Sequence, residues 1–216
     1  MSGTDQGVTK RRAKRSAHLT REKILKAATR EFSAKGLEGA RVDTIALRSG
    51  SNKNMIYHYF GSKDALFKAV LEEMYSTIRT YQERLEVEDL DPEDGIRVLV
   101  EMTFEAFAKH PEFISLLSSE NLTKAAHVRK SPQILSMYHP LTAAIEKILE
   151  KGAAQGVFRT DLDAADLYIS ISALANYHIS NRYTLSALFG FDVNAPDNRV
   201  RRRDNAVEMI VRYVRI

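Results

Sequence analysis

The 216-residue chain predicts an all-α protein of about nine helices, with an N-terminal three-helix head and a larger helical body. Three observations carry this expectation. Apolar residues recur at three- and four-residue spacing through most of the chain. No useful length alternates apolar with polar residues, as a half-buried strand would. Helix punctuation (Thr, Ser, Asp or Pro before a run, Gly after it) recurs at the boundaries.

The elements follow in order. Residues 1–19, "MSGTDQGVTKRRAKRSAHL", predict a disordered arm, with almost no apolar residues and a basic cluster at Lys10, Arg11, Arg12, Lys14 and Arg15. A first helix starts near Thr20 as N-cap, carries Ile24, Leu25, Ala28 and Phe32 on one stripe, and stops at Gly36. A second covers about Arg41 to Ser49, with Val42, Ile45 and Ala46 inward and Gly50 closing it. A third runs from about Asn52 to Phe60. Ser62 caps a long fourth, whose stripe of Leu66, Phe67, Val70, Met74 and Ile78 reaches to about Glu86.

Pro92 opens a fifth helix presenting Ile96, Leu99, Val100, Phe104 and Phe107. A further helix covers about Glu112 to Ala126. Pro132 opens another that runs to Lys151, where Pro140 is expected to kink it. Asp163 caps a helix from Ala164 to about Ala187, and the last helix covers about Arg199 to Val214. The expected domains are the arm at 1–19, a head at 20–66 and a body at 67–216.

Composition narrows the function. There is no cysteine, so disulfides, thiolate chemistry and Cys-based zinc sites are excluded. No HExxH or other metal spacing, no P-loop and no GxSxG stands in the chain, so neither a metal, a cofactor nor an enzyme's catalytic centre is expected. The first 18 residues lack the apolar core of a secretion leader, and no uninterrupted apolar run is long enough to span a membrane. A cytoplasmic protein is expected. The charge is uneven: residues 1–67 hold 14 Lys and Arg against 6 Asp and Glu, while the remainder holds 18 against 22. A basic head on a mildly acidic body points to a polyanionic partner.

The chemistry concentrates in "SGSNKNMIYHYFGSKDAL", residues 49–66. Two short helices meet at Gly50. Ala46 is small where they cross, Gly50 permits a left-handed turn, and Ile45 and Ile56 fill the space between. This is a helix-turn-helix arrangement, whose second helix enters the major groove. Lys53, Asn54, Tyr57 and His58 lie off the buried stripe of that helix. Asn54 suits an adenine edge, Met55 a thymine methyl, and Lys53, Tyr57 and Lys63 suit phosphates.

The string "ILKAATREFSAKGLEGARVDTIALRSGSNKNMIYHYFGSKDALFKAVL", residues 24–71, resembles the tetracycline-repressor (TetR) family of bacterial transcription regulators. The Y-H-Y-F-x-S-K-x-A-L ending of the third helix is its most specific part. The resemblance implies a homodimer bound to a palindromic double-stranded DNA operator and released by a small-molecule effector. It carries Lys53, Asn54 and Met55 over to bases and Tyr57, His58 and Lys63 to backbone, and Thr44 and Tyr59 complete the candidate set. Two departures stand out. Ser51 occupies a usually apolar position and is given a possible capping role. Arg41 stands near a usual Thr, and a phosphate contact by its side chain is expected instead.

The body resembles the family only in architecture. Met102, Phe104, Phe107, Phe113, Met137 and Tyr138 are candidate ligand contacts. "NYHISNRY", residues 176–183, is polar for a buried helix. Asn176 is grouped with the ligand candidates and His178 and Arg182 with a dimer interface, though either role is open to all three. The stripe of Val207, Ile210, Val211 and Val214 is expected to complete the dimer seam.

Overall fold

A computed structural model describes the backbone of residues 4–82 and 90–216, and the side chains of residues 15–81 and 90–216. It is all-α, and among the described residues no strand forms. An isolated antiparallel bridge joins Phe158 to Arg215. The chain divides into two compact units. One comprises Met1–Glu73 with Ser115–Ser131, and the other comprises Met74–Ile114 with Pro132–Ile216.

In the first unit, α1 spans Thr4–Gly39, α2 spans Val42–Ser49 and α3 spans Lys53–Phe60, while α4 begins at Lys63 and runs on to Gln82. The helix is drawn from Thr4, so the backbone expected as a disordered arm is continuous with α1. The basic side chains at residues 10–14 lie outside the described residues. Thr20 is therefore no N-cap. Its hydroxyl donates to the Ser16 carbonyl one turn back, at 3.0 Å. Gly36 does interrupt the helix, with φ 68° and ψ 178°. Ser62 caps α4, its Oγ accepting the Ala65 N–H at 3.0 Å. The α4 stripe from Leu66 to Ile78 is buried, whereas its expected continuation to Glu86 lies outside the described residues.

In the second unit, α5 (Pro92–Lys109) starts with Pro92 in the first turn, as expected, and Asp91 caps it. After α6 (Pro111–Leu122), the single helix expected from Pro132 is two, α7 (Pro132–Ser136) and α8 (Tyr138–Ala154). Pro140 consequently lies in the first turn of α8 and kinks nothing, because the N–H it lacks would have had no helical partner there. The helix expected to end at Ala187 also divides at Asn181, into α9 (Ala164–Ser180) and α10 (Arg182–Phe189), with Asp163 capping the first. The last helix, α11 (Pro196–Val214), packs on α5 and α9.

The end of α8 is anchored by one close approach. A Cβ on Gly152 would stand 2.1 Å from the buried Phe158 ring, and the Arg159 N–H donates to the Val214 carbonyl at 2.9 Å. Gly152→Ala is expected to force the ring out of place and to destabilise the protein by about 1–3 kcal/mol, read as a lower urea midpoint with unchanged slope.

Candidate nucleic-acid interface and ligand cavity

The geometry of α3 begins with what holds it. Ile45 and Ile56 are buried between α2 and α3, with Ala46 beside them. Gly50 takes φ 67° and ψ 23°, a left-handed conformation that costs a side-chain-bearing residue about 1–2 kcal/mol. That turn lets the Ser51 N–H donate back to the Ala46 carbonyl at 3.0 Å. Capping falls to Asn52 rather than Ser51: Asn52 Oδ1 accepts the Met55 N–H at 2.8 Å. Ser51 is only half-buried. Underneath, the buried Glu31 of α1 accepts the Arg41 N–H at 3.3 Å and Arg48 Nη1 at 2.9 Å. One carboxylate thus ties both ends of α2 to α1.

Only Ile56 of α3 is buried. Lys53, Asn54, Tyr57 and His58 are exposed, while Met55 and Tyr59 are half-buried. Lys53 Nζ pairs with Asp43 of α2 at 3.1 Å. Lys63 Nζ donates to the Glu38 carbonyl at 3.2 Å. Arg41 is exposed at the N-cap of α2, where only its backbone is engaged, and Thr44 is half-buried. The face therefore gathers Lys53, Asn54, Tyr57 and His58 on one helix.

Sequence reasoning missed a second support for this unit. The carboxylate of buried Glu120 accepts from the backbone N–H of His127 (2.7 Å) and Val128 (3.0 Å), and lies 2.8 Å from His127 Nδ1. These bonds fold the segment after α6 back on itself through Lys124 and Ala125, both left-handed at φ 57° and 59°. His127 then meets the edge of Phe67 at 5.0 Å, and its Nε2 stands 3.5 Å from Asp64, both on α4. No local sequence pattern marks Glu120, because its partners lie seven and eight residues on in an irregular turn.

The second unit holds a cavity of about 440 Å³ among α9, α10, α11 and the loop before α11. Leu185, Phe189, Phe191 and Val193 supply apolar walls, and His178, Asn198, Arg201, Arg202 and Asn205 the polar ones. The two arginines come from "RVRRR", residues 199–203, in α11. Of the ligand candidates, Phe104 touches this region by stacking on His178, with ring centroids 5.7 Å apart and planes 17° apart. Phe107 and Phe113 are buried against each other, Met102 and Met137 are half-buried, and Tyr138 lies under the Arg79 guanidinium at 4.1 Å. Asn176 is half-buried, and its Oδ1 has no hydrogen-bond partner.

Among the dimer candidates, Val207, Ile210, Val211 and Val214 are buried within the chain's own second unit, as is His178. Arg182 is half-buried and engaged locally, donating to the Ile179 carbonyl at 3.1 Å and to the Tyr183 hydroxyl at 3.1 Å. The exposed apolar residues are others. Ile169, Ala173 and Tyr177 recur every four residues along α9, and Met209 and Tyr213 do so on α11.

A short exposed polar helix, set by a left-handed glycine turn on a buried partner helix, defines a helix-turn-helix DNA-binding protein. Residues 24–70 match the family described as "Bacterial regulatory proteins, tetR family", and residues 92–210 match "Tetracyclin repressor-like, C-terminal domain". The chain belongs to the TetR family and is a transcriptional regulator rather than an enzyme. It is 38% identical over 177 residues to the HTH-type transcriptional repressor NicS of Pseudomonas putida, covering 82% of this chain and 84% of that one. It is 31% identical to the HTH-type transcriptional repressor SCO4008 of Streptomyces coelicolor, over 77% of this chain and 82% of that one. Among solved structures, the putative transcriptional regulator SCO4942 from Streptomyces coelicolor superposes with a TM-score of 0.68 at 25% identity, over 90% of this chain and 98% of the other. Among the described residues no helix is long and apolar enough to cross a membrane, and no cluster of three metal-ligating side chains occurs.

Proposed function

We propose that the protein is a cytoplasmic repressor that binds a palindromic DNA operator as a homodimer and leaves it when a small-molecule effector enters the second unit. The observation that carries the reading is the exposure of Lys53, Asn54, Tyr57 and His58 on a helix whose one fully buried residue is Ile56. A helix folded only for stability would bury more of its circumference. Asn54 reads a base edge. Lys53 and Met55 join it at the bases, Tyr57, His58 and Lys63 meet the backbone, and Tyr59 completes the face. Arg41, Thr44 and Ser51 line the approach from α2. The repressor names of the two relatives support repression.

Dimerisation through α9 and α11 is supported by the exposed apolar residues Ile169, Tyr177, Met209 and Tyr213. Two α3 helices in such a dimer meet half-sites about 34–36 Å apart. The effector acts by binding the operator-free conformation better than the operator-bound one, since equal affinity would shift nothing.

Selection from a random duplex library is expected to return a palindrome. Against single-base variants of that palindrome, Asn54→Ala is expected to lose about 1–3 kcal/mol of discrimination at one position per half-site. Tyr57→Ala is expected to weaken all the duplexes alike. Unchanged discrimination with Asn54→Ala in fluorescence anisotropy removes its base-reading role.

A further inference from the structure

We infer that the cavity among α9, α10 and α11 is the effector site and that it takes a flat organic anion, an aromatic carboxylate. The assignment rests on the effector-responsive reading above for its consequence, release of the operator, while ligand binding is tested apart from it.

Charge comes first. Arg201 and Arg202 line the cavity, and no Asp or Glu does. Among the described residues, neither arginine pairs with a carboxylate. Arg202 is half-buried and its Nε has no hydrogen-bond partner. A guanidinium withdrawn from water without an anion is unfavourable, and a carboxylate offers the matching two-oxygen fork. Arg201 is already oriented: its Nη2 donates to Asn198 Oδ1 at 2.9 Å, and Asn198 Nδ2 donates to the Asp192 carbonyl at 2.7 Å.

Shape and polarity narrow the class further. Phe189 and Phe191 stack at 6.2 Å with 29° between their planes, although both are largely exposed. On the inner side, His178 is 2% exposed and its Nδ1 lacks a hydrogen-bond partner. Burial, then the charges of Arg202 and Arg199, hold its pKa below the ordinary imidazole value. The Leu174 carbonyl opposes this without completing a hydrogen bond to Nδ1. The imidazole is therefore a neutral polar group facing apolar rings, suited to a ring-borne donor or acceptor rather than to a second anion. About 440 Å³ is the size of a small-molecule site.

The test is calorimetric titration of the full-length protein with benzoate, with benzamide as its uncharged counterpart, and with inorganic phosphate. Benzoate is expected to bind saturably, one per chain, with benzamide and phosphate at least about tenfold weaker. Arg201→Gln, an exposed position that leaves the core intact, is expected to weaken benzoate at least tenfold. Arg212→Gln, on the same helix but paired with Glu208 away from the cavity, is expected to leave it unchanged. Equal binding of benzoate and benzamide, equal binding of phosphate, an unaffected Arg201→Gln, or no saturable benzoate binding each overturns the assignment. Operator affinity is read separately by anisotropy. Benzoate that binds without releasing the operator leaves the anion site standing and removes its effector role. A ligand-free protein with no operator affinity removes the regulator reading instead.

Discussion

Ile169→Glu is expected to leave the protein folded but monomeric, and to raise the apparent Kd for the operator at least about 100-fold. Ile169 is 63% exposed and stands on α9 in line with Ala173 and Tyr177. In an isolated chain a glutamate there lies in water, so thermal stability should change by no more than about 0.5 kcal/mol. In a dimer seam the same carboxylate is buried without a partner and sets a second one near it across the two-fold axis. The operator penalty follows from lost bivalence. Two linked reading heads gain about 10²–10⁴ in avidity over one, and a monomer forfeits that gain. Light scattering after size-exclusion chromatography measures the mass, and anisotropy measures the affinity. A variant that stays dimeric puts the seam elsewhere.

Glu120→Ala is expected to destabilise the unit that carries α3 by about 3–5 kcal/mol. The lost carboxylate leaves the N–H groups of His127 and Val128 and the His127 ring without their buried acceptor, in a turn that is itself half-buried to exposed. The left-handed backbone at Lys124 and Ala125 keeps only its main-chain bonds, to the Asn121 and Glu120 carbonyls, and loses the side-chain bonds that close the turn beyond it. His127 would withdraw from Phe67 and Asp64, so the start of α4, immediately after the α3 helix, loses a buttress. At roughly 2–4 °C per kcal/mol, the thermal midpoint should fall by about 6–20 °C. Limited proteolysis should cut first between residues 120 and 131. Glu120→Gln keeps one acceptor oxygen and should fall between the two. An unchanged midpoint in the alanine variant removes the proposed pin.

What was legible in the sequence divides by the range of the interactions involved. The head was readable because its determinants are local. Gly50, Ala46, Ile45 and Ile56 act within a dozen residues, and helical periodicity exposes what is left over. The caps at Ser62 and Asp163 were readable for the same reason. Breaks inside apolar runs were harder. Nothing in the side chains around Met137 or Asn181 announces that the helix stops there. The C-terminal stripe shows the limit of periodicity. Val207, Ile210, Val211 and Val214 form the stripe a seam would use, but a stripe does not say which surface covers it, and here α5 and α9 do. The cavity was least visible, since Arg201 and Arg202 meet His178 only after the chain has turned twice between α9 and α11.

The ion pair between Lys53 and Asp43 has a consequence for how such a protein finds its target among competing sequences. On the proposed reading of α3 as the helix that meets DNA, a cation already engaged must be released before a phosphate can have it, so arbitrary stretches of duplex attract this face less than its lysine alone would suggest. Brief visits to wrong stretches leave the molecule free to sample more of a chromosome in the same time. Only where neighbouring side chains also find their complements does exchanging one carboxylate for another anion become worthwhile.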